Sequence, residues 1–293
     1  MLLAIKIDVD TCAGTRDGVP RLVEVLKKHR ADATFLFSLG PDHTGRAIKR
    51  VFRKSFLSKV RRTSVVQHYG VRTLLYGTLL PGPDIGKRCA EEMRAARAAG
   101  FEVGIHCWDH VRWQDHVAGK DAAWTEREMQ KALGRYERVF DEKPKTWGAA
   151  GWQTNRHAAW VQEQLFEYAS DTRGTSPFIP MWDGVRIGCV QLPTTLPTLD
   201  ELVGLEGDVV QVLLKATQDG KRDHVFTAHA ELEGGRFLAA FERLLEGWKA
   251  QGYDIVDMKT FYRSLELARL PHCEVVYGEV PGRSGTLALQ GPA

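Results

Sequence analysis

Alternation of strand and helix patterns along most of the 293 residues predicts an α/β fold on a parallel sheet, as a barrel or a doubly wound sheet. Three observations carry this. Short apolar runs such as residues 2–7 and 33–39 alternate with segments of helical periodicity. Glycine and proline fall between them. Aspartates and histidines follow the strand patterns directly, where parallel sheets gather functional groups.

Taken in order, residues 2–7 read as a buried strand and 14–18 as a turn. Pro20 suits a helix start, with Leu22, Val23, Val25 and Leu26 as its apolar face. Residues 33–39 form the next strand. After a basic stretch, 84–99 reads as a helix stopped by Gly100, and 101–105 as a strand delivering His106. Thr125 and Glu128 make a capping-box pattern for a helix to Phe140, ended by Pro144. Residues 147–151 are a strand, 157–166 a helix, and 168–170 and 187–192 short strands. A helix over 207–217 precedes a strand at 224–228 that delivers His229; helix 235–250 and strand 253–256 complete the series. Beyond Leu270 the pattern weakens, so 266–293 reads as a tail.

With 43% hydrophobic residues the chain can bury a sizeable core as one domain. Cys12, Cys89, Cys107, Cys189 and Cys273 are scattered, which suits neither a zinc knuckle nor a disulfide framework and points to a reducing compartment. Charge at Lys6 and Asp8 comes too early for a secretory leader, and no run reaches the ~18 apolar residues of a membrane span. A cytoplasmic protein is expected.

The net charge of +3 hides an asymmetry. Residues 43–83 contain no acid but nine bases: Arg46, Lys49, Arg50, Arg53, Lys54, Lys59, Arg61, Arg62 and Arg72. Without these the remaining 31 bases face 37 acids, a net of −6. Ile48, Val51, Phe52, Phe56 and Val60 form an apolar helical stripe, while Arg46, Lys49, Arg50, Arg53 and Lys54 largely fill the other face. Basic amphipathic helices with aromatic residues suit anionic lipid surfaces. The apolar stripe fits lipid better than nucleic acid, and a solvated surface helix is the plain alternative.

The chemistry lies elsewhere. His106 and His110 have HxxxH spacing, which one helical turn or a compact loop can aim at one ion. Asp8 and Asp10 point to the same side of an extended strand. Two carboxylates and two histidines allow one Asp to bind metal while the other acts as base. His229, after a strand, suits a general acid, with Asp171 as the candidate carboxylate to orient it. A backbone N–H near Cys12 or Ala13 is a candidate oxyanion donor. His29, His43, His68, His116, His157, His224 and His272 read as ordinary.

Asp8-Val9-Asp10, His106-x3-His110 and His229, in this order, resemble the polysaccharide deacetylase motifs (carbohydrate esterase family 4, NodB-like). The resemblance covers most of residues 1–265. It implies a distorted (β/α) barrel and a divalent metal on Asp10, His106 and His110: zinc, or cobalt, manganese or nickel in its place. It also implies Asp8 as general base and His229 as general acid. Stretches such as IDVDTCAGTRDGVPRL, GIHCWDH, DTRGTSPF and TAHAELEGG are similar to the family's formamido-sugar deformylases. That likeness implies hydrolysis of a formamide on an undecaprenyl-phosphate-linked amino sugar, at the cytoplasmic face of a bacterial inner membrane. Trp152, Arg173 and Arg16 become candidates for substrate binding, and Arg46, Lys49, Arg50, Arg53, Lys54, Phe52 and Phe56 for lipid contact. The family's third motif has an arginine that orients the base. Here Gly148-Ala149-Ala150-Gly151-Trp152-Gln153 has none, leaving Arg156 or Arg173 as substitutes. A soluble sugar deacetylase and a non-catalytic lipid-binding module are the alternatives.

Overall fold

The computed structural model describes residues 1–47, 72–203, 207–220 and 222–293. The strands begin with β1 (Leu2–Val9), β2 (Thr34–Ser38), β3 (Glu102–Cys107), β4 (Thr146–Trp147) and β5 (Tyr168–Ala169). Then come β6 (Ile179–Trp182), β7 (Val185–Arg186), β8 (Val190–Gln191), β9 (His224–His229) and β10 (Asp254–Val256). The last two are β11 (His272–Glu279) and β12 (Thr286–Gln290).

The main sheet is parallel throughout, in the order β9-β1-β2-β3-β4-β5-β8. β2 pairs with residues 6–9 of β1 and β10 with residues 2–4, so these two divide one edge while β9 runs along the other. The segment after β8 is joined to β9 through Thr195, whose N–H donates to the Val225 carbonyl at 3.0 Å and whose hydroxyl accepts the Val225 N–H at 2.9 Å. The result is a distorted (β/α) half-barrel.

Alternation along β1 decides what faces where. Leu3, Ile5, Ile7 and Val9 join the core beneath the surrounding helices, with Phe35, Phe37, Val103, Ile105, Phe226 and Ala228 from neighbouring strands. The other parity faces the barrel interior. Ala4 and Val225 pack there with Tyr168, Ile179, Leu192, Met258 and Phe261, closing its lower end. Above them the register sets Thr227 beside Lys6 and His229 beside Asp8. Apolar below and ionisable above, one strand thus builds both a plug and the base of a site.

Most helices match expectation, with instructive differences. Residues 14–18 are a turn of π-helix leading into helix Val19–Lys28, with Pro20 in its first turn. The helix expected over 84–99 breaks at Cys89 into Ile85–Arg88 and Ala90–Ala98, and Gly100 takes φ +103° after it. Thr125 and Glu128 form no capping box. The helix spans Ala122–Phe140, and Asp121 caps it by accepting the Trp124 N–H at 2.9 Å. Thr125 is inside the first turn, its hydroxyl donating to the Asp121 carbonyl.

The segment read as a tail is structured. β11 pairs with β12 and with β6, and β6 pairs with β7, making a second sheet of order β12-β11-β6-β7. In β11 only alternate residues from Cys273 to Val275 are buried, while Tyr277 and Val276 are exposed. That one-sided burial blurs the apolar signal. Residues 48–71, holding most of the basic stripe, lie outside the described residues. The ends of this excursion are joined: Pro41 bridges Asp84, the Asp42 N–H donates to the Pro83 carbonyl (2.9 Å), and Gly45 to Tyr76 (3.0 Å). Its root therefore sits beyond the C-terminal end of β2.

Candidate active site

Asp10 is the first residue past β1, His106 lies at the end of β3, and His110 opens helix His110–His116. The HxxxH pair thus spans a strand end, a loop and a helix start; the compact-loop arrangement is the one realised. Asp109 caps that helix by accepting the Arg112 N–H, and its other oxygen meets His43 Nδ1 at 2.6 Å. The Asp10 oxygens lie 3.3 Å from His106 Nε2 and 3.3 Å from His110 Nε2. Ligand atoms of these three residues all fall within 4.8 Å of one another.

The donor set fits a divalent cation. His106 Nδ1 donates to the Gly148 carbonyl at 2.7 Å, which leaves the Nε2 lone pair directed at the Asp10 side. Asp10 Oδ1 is buried without a hydrogen-bond donor among the described residues. Burial would raise the Asp10 carboxyl, but His110, His106 and His229 outweigh it and hold it far below the usual range. Burial would lower His106, but Asp8 and Asp10 push it up.

Glu231 fixes the backbone here. Its Oε1 accepts the Asp10 N–H (3.0 Å), the Thr11 N–H (2.7 Å) and the Thr11 hydroxyl (2.7 Å). A Cβ on Gly14 would meet that oxygen at 2.0 Å, so only glycine admits the carboxylate. Asp42 takes the Cys12 N–H at 3.0 Å, which removes that group as the expected oxyanion donor.

Lys6 is fully buried, with Nζ 3.4 Å from Asp8 Oδ2 and 3.3 Å from the Ser170 carbonyl. Asp8 Oδ1 lies 3.8 Å from His106 Nδ1. His229, the register partner of Asp8, donates its backbone N–H to Glu233 at 2.7 Å. Burial pushes the Glu233 carboxyl up to about 7. The carboxylate facing the His229 ring is Asp200, with Oδ1 3.8 Å from Nδ1. Burial would raise Asp200, but Arg283, His229 and Thr198 lower it.

The sequence model of polysaccharide deacetylases matches residues 4–165, more than half the chain. The chain belongs to the polysaccharide deacetylase family. Two curated relatives carry the name probable 4-deoxy-4-formamido-L-arabinose-phosphoundecaprenol deformylase ArnD. The one from Shewanella sediminis is 36% identical over 98% of this chain and 94% of its own. The one from Wigglesworthia glossinidia brevipalpis is 30% identical over 94% of this chain and 98% of its own. Solved structures agree on the fold. A Mycobacterium smegmatis protein assigned to the polysaccharide deacetylases has a TM-score of 0.64 at 17% identity, covering 95% of both chains. The allantoinase Puue gives 0.60 at 17% identity over 89% of each. This deacetylase-family chain is a hydrolase acting on an amide.

Several residues singled out in the sequence sit differently from expectation. Asp171 does not face His229: it accepts the Ala149 N–H (2.8 Å) and the Gln162 amide (2.7 Å), and burial pushes its carboxyl up to about 6. It shapes the loop after β4. Arg173 is nearly buried, bound to Glu201 and to the Leu196 carbonyl. Trp152 is buried at φ +51°, its Nε1 donating to Thr194 at 3.0 Å and its ring edge-on to His229 at 6.3 Å. Arg283, Arg173 and Lys6 lie 4.7, 5.0 and 5.5 Å from the Trp152 ring centre. These contacts give Trp152 and Arg173 structural partners in place of an open substrate surface. Arg16 is exposed and paired with Asp17, and Arg156 faces Asp183 at 3.5 Å. Neither approaches Asp8 through any of these pairs. Arg46 is exposed, its Nε donating to the Gly77 carbonyl at 3.0 Å. Lys49, Arg50, Phe52, Arg53, Lys54 and Phe56 lie outside the described residues. Lys6, Asp200, Glu231, Glu233 and Arg283 were missed. A lysine two residues before Asp8 is the available signal for Lys6.

Proposed function

We propose that this chain is a metal-dependent deformylase that hydrolyses 4-deoxy-4-formamido-L-arabinose linked to undecaprenyl phosphate, releasing formate and the free amino sugar used to modify lipid A. The observation that carries it is the end-to-end likeness to the named deformylases, together with an Asp–His–His cluster at the sheet's C-terminal end.

Asp10, His106 and His110 hold a divalent ion in this reading, zinc or a similar metal. Once bound, such an ion polarises the carbonyl and makes water easier to deprotonate. Asp8 takes the proton as water attacks the formyl carbon, and Lys6 keeps its carboxylate turned into the site. His229 gives a proton to the nitrogen as the C–N bond breaks. Asp200 faces the far side of that ring. Residues 1–265 serve as the catalytic domain, and 266–293 add a hairpin beside it.

Residues 43–83 act as the lipid contact, placing the enzyme as a peripheral protein on the cytoplasmic face of the inner membrane. Nine bases without an acid, and the exposed Leu79 and Leu80 near the root of the excursion, support this reading. No described helix is long and apolar enough to cross a membrane. Salt-sensitive flotation with anionic vesicles is the expected result. Tight DNA binding without flotation defeats it.

Mass spectrometry of a formamido-arabinose phosphoprenol after incubation with metal-loaded protein tests the activity. Water adds, the C–N bond breaks, formate leaves and the nitrogen gains a hydrogen, so the sugar product should be lighter than the substrate by the mass of a carbonyl group. The family description favours one second reading, an N-acetyl sugar deacetylase. Faster release from the acetamide than from the formamide establishes that reading instead.

A further inference from the structure

We propose that Arg283, from the loop between β11 and β12, is a positioning residue that holds Asp200 against the His229 ring and so makes the C-terminal hairpin part of the catalytic apparatus. This rests on the proposed role of His229 as the proton donor.

The geometry is specific. Arg283 Nη1 lies 2.9 Å from Asp200 Oδ2, and its Nη2 donates to Asp200 Oδ1 at 3.1 Å and to the Thr198 hydroxyl at 2.8 Å. Its Nε donates to Glu201 Oε1 at 2.7 Å, the oxygen that also receives Arg173. A single guanidinium therefore clamps two adjacent carboxylates at the start of helix Leu199–Leu202. Asp200 Oδ1 in turn lies 3.8 Å from His229 Nδ1, which is buried and has no hydrogen-bond partner among the described residues. Such contacts often lengthen without substrate and tighten with it. Arg283 also lies over the Trp152 ring, whose edge-on contact borders His229. On its other side the loop is fixed to the body: Gly282, at φ +84°, would bring a Cβ to 2.8 Å from the Glu201 carbonyl. An arginine this committed cannot drift, and the carboxylate it clamps is the one facing the imidazole. Holding Asp200 there favours the tautomer with the proton on Nδ1 and stabilises the imidazolium that donates from Nε2.

The test compares two leaving groups in the full chain. Formamide hydrolysis breaks C–N and must deliver a proton to nitrogen. Hydrolysis of 4-nitrophenyl formate breaks C–O, and the phenolate departs without one. Arg283→Met should lower kcat on the formamido sugar by about 10–100-fold with KM nearly unchanged, while ester turnover falls by less than about threefold. Arg283→Lys should recover much of the loss. Asp200→Asn should cause the same selective loss, and the double variant should be no worse than the single ones. Equal losses on both substrates, or a lower Tm with an unchanged ratio, would assign Arg283 a purely structural role and overturn the proposal. Wild-type protein inactive on the formamide would count against the deformylase reading instead. Nitrogen-15 spectra of the His229 ring then decide on Arg283 alone. A tautomer shift in Arg283→Met is expected, and identical spectra overturn the assignment.

Discussion

Lys6 and Asp8 stand two residues apart on the same face of β1, with Nζ 3.4 Å from Oδ2 and both side chains almost without solvent contact. Cation and carboxylate are thus supplied by one strand. The loop after β4, where the sequence lacks the family's third-motif arginine, presents the Gly148 carbonyl to His106, and the cation beside Asp8 is that of Lys6.

Lys6→Met is accordingly expected to cost stability as well as turnover. Breaking a buried pair from one side leaves an uncompensated charge and costs about 3–5 kcal/mol. Adding Asp8→Asn should restore most of that stability without restoring activity. Denaturant melts of the two single variants and the double variant give the coupling, and simple additivity would mean that the pair does not interact.

Much of this was legible in the sequence, for identifiable reasons. The strands that deliver Asp8, Asp10, His106 and His229 are apolar runs buried on both faces, so composition alone marks them. His106 and His110 were readable by spacing. Position after a strand says where Asp171 lies but not which partner it meets. Its side chain turns to the Ala149 N–H, and His229 faces Asp200, 29 residues earlier in the chain, in a helix too short to announce itself. Arg283 was hidden for a similar reason: β11 is buried on only part of one face, so its hairpin reads as a tail.

Metal removal should reveal the site directly. A chelator is expected to abolish hydrolysis and lower Tm, and added zinc should reverse both. Binding to the folded state alone contributes about 2.7 kcal/mol at a ligand concentration of 100 Kd. His110→Ala should remove the metal-dependent part of Tm. A zinc-induced shift that survives in His110→Ala and Asp10→Ala would place the ion elsewhere.

Gly14→Ala tests the support beneath Asp10. A Cβ there would come within 2.0 Å of Glu231 Oε1 and 2.4 Å of its carboxyl carbon, so the carboxylate must leave the Asp10 and Thr11 N–H groups. Overpacking of this kind costs about 1–3 kcal/mol. Metal affinity should fall as well, because the ligand's backbone loses its anchor. Unchanged zinc affinity by calorimetry would show that Asp10 is positioned without Glu231.

Asp171 sets a pH signature on stability. Burial raises its carboxyl from 3.8 in the free side chain to about 6 in the folded protein. Below the lower value both states are protonated and the group favours neither. As pH rises between the two values the unfolded chain releases its proton while the folded one keeps it, so the unfolded state binds fewer protons and stability falls. A rise of this size corresponds to about 3 kcal/mol, lost by roughly pH 7 relative to about pH 3. Asp171→Asn cannot titrate. Whatever fixed penalty it carries from donors now facing its amide, from Gln162 or from Ala149, that penalty stays constant with pH. Urea midpoints of wild type and variant should therefore converge, or cross, as pH is raised through this window. Parallel profiles would mean that Asp171 enters the fold already ionised, with the Ala149 N–H and the Gln162 amide fully offsetting its burial.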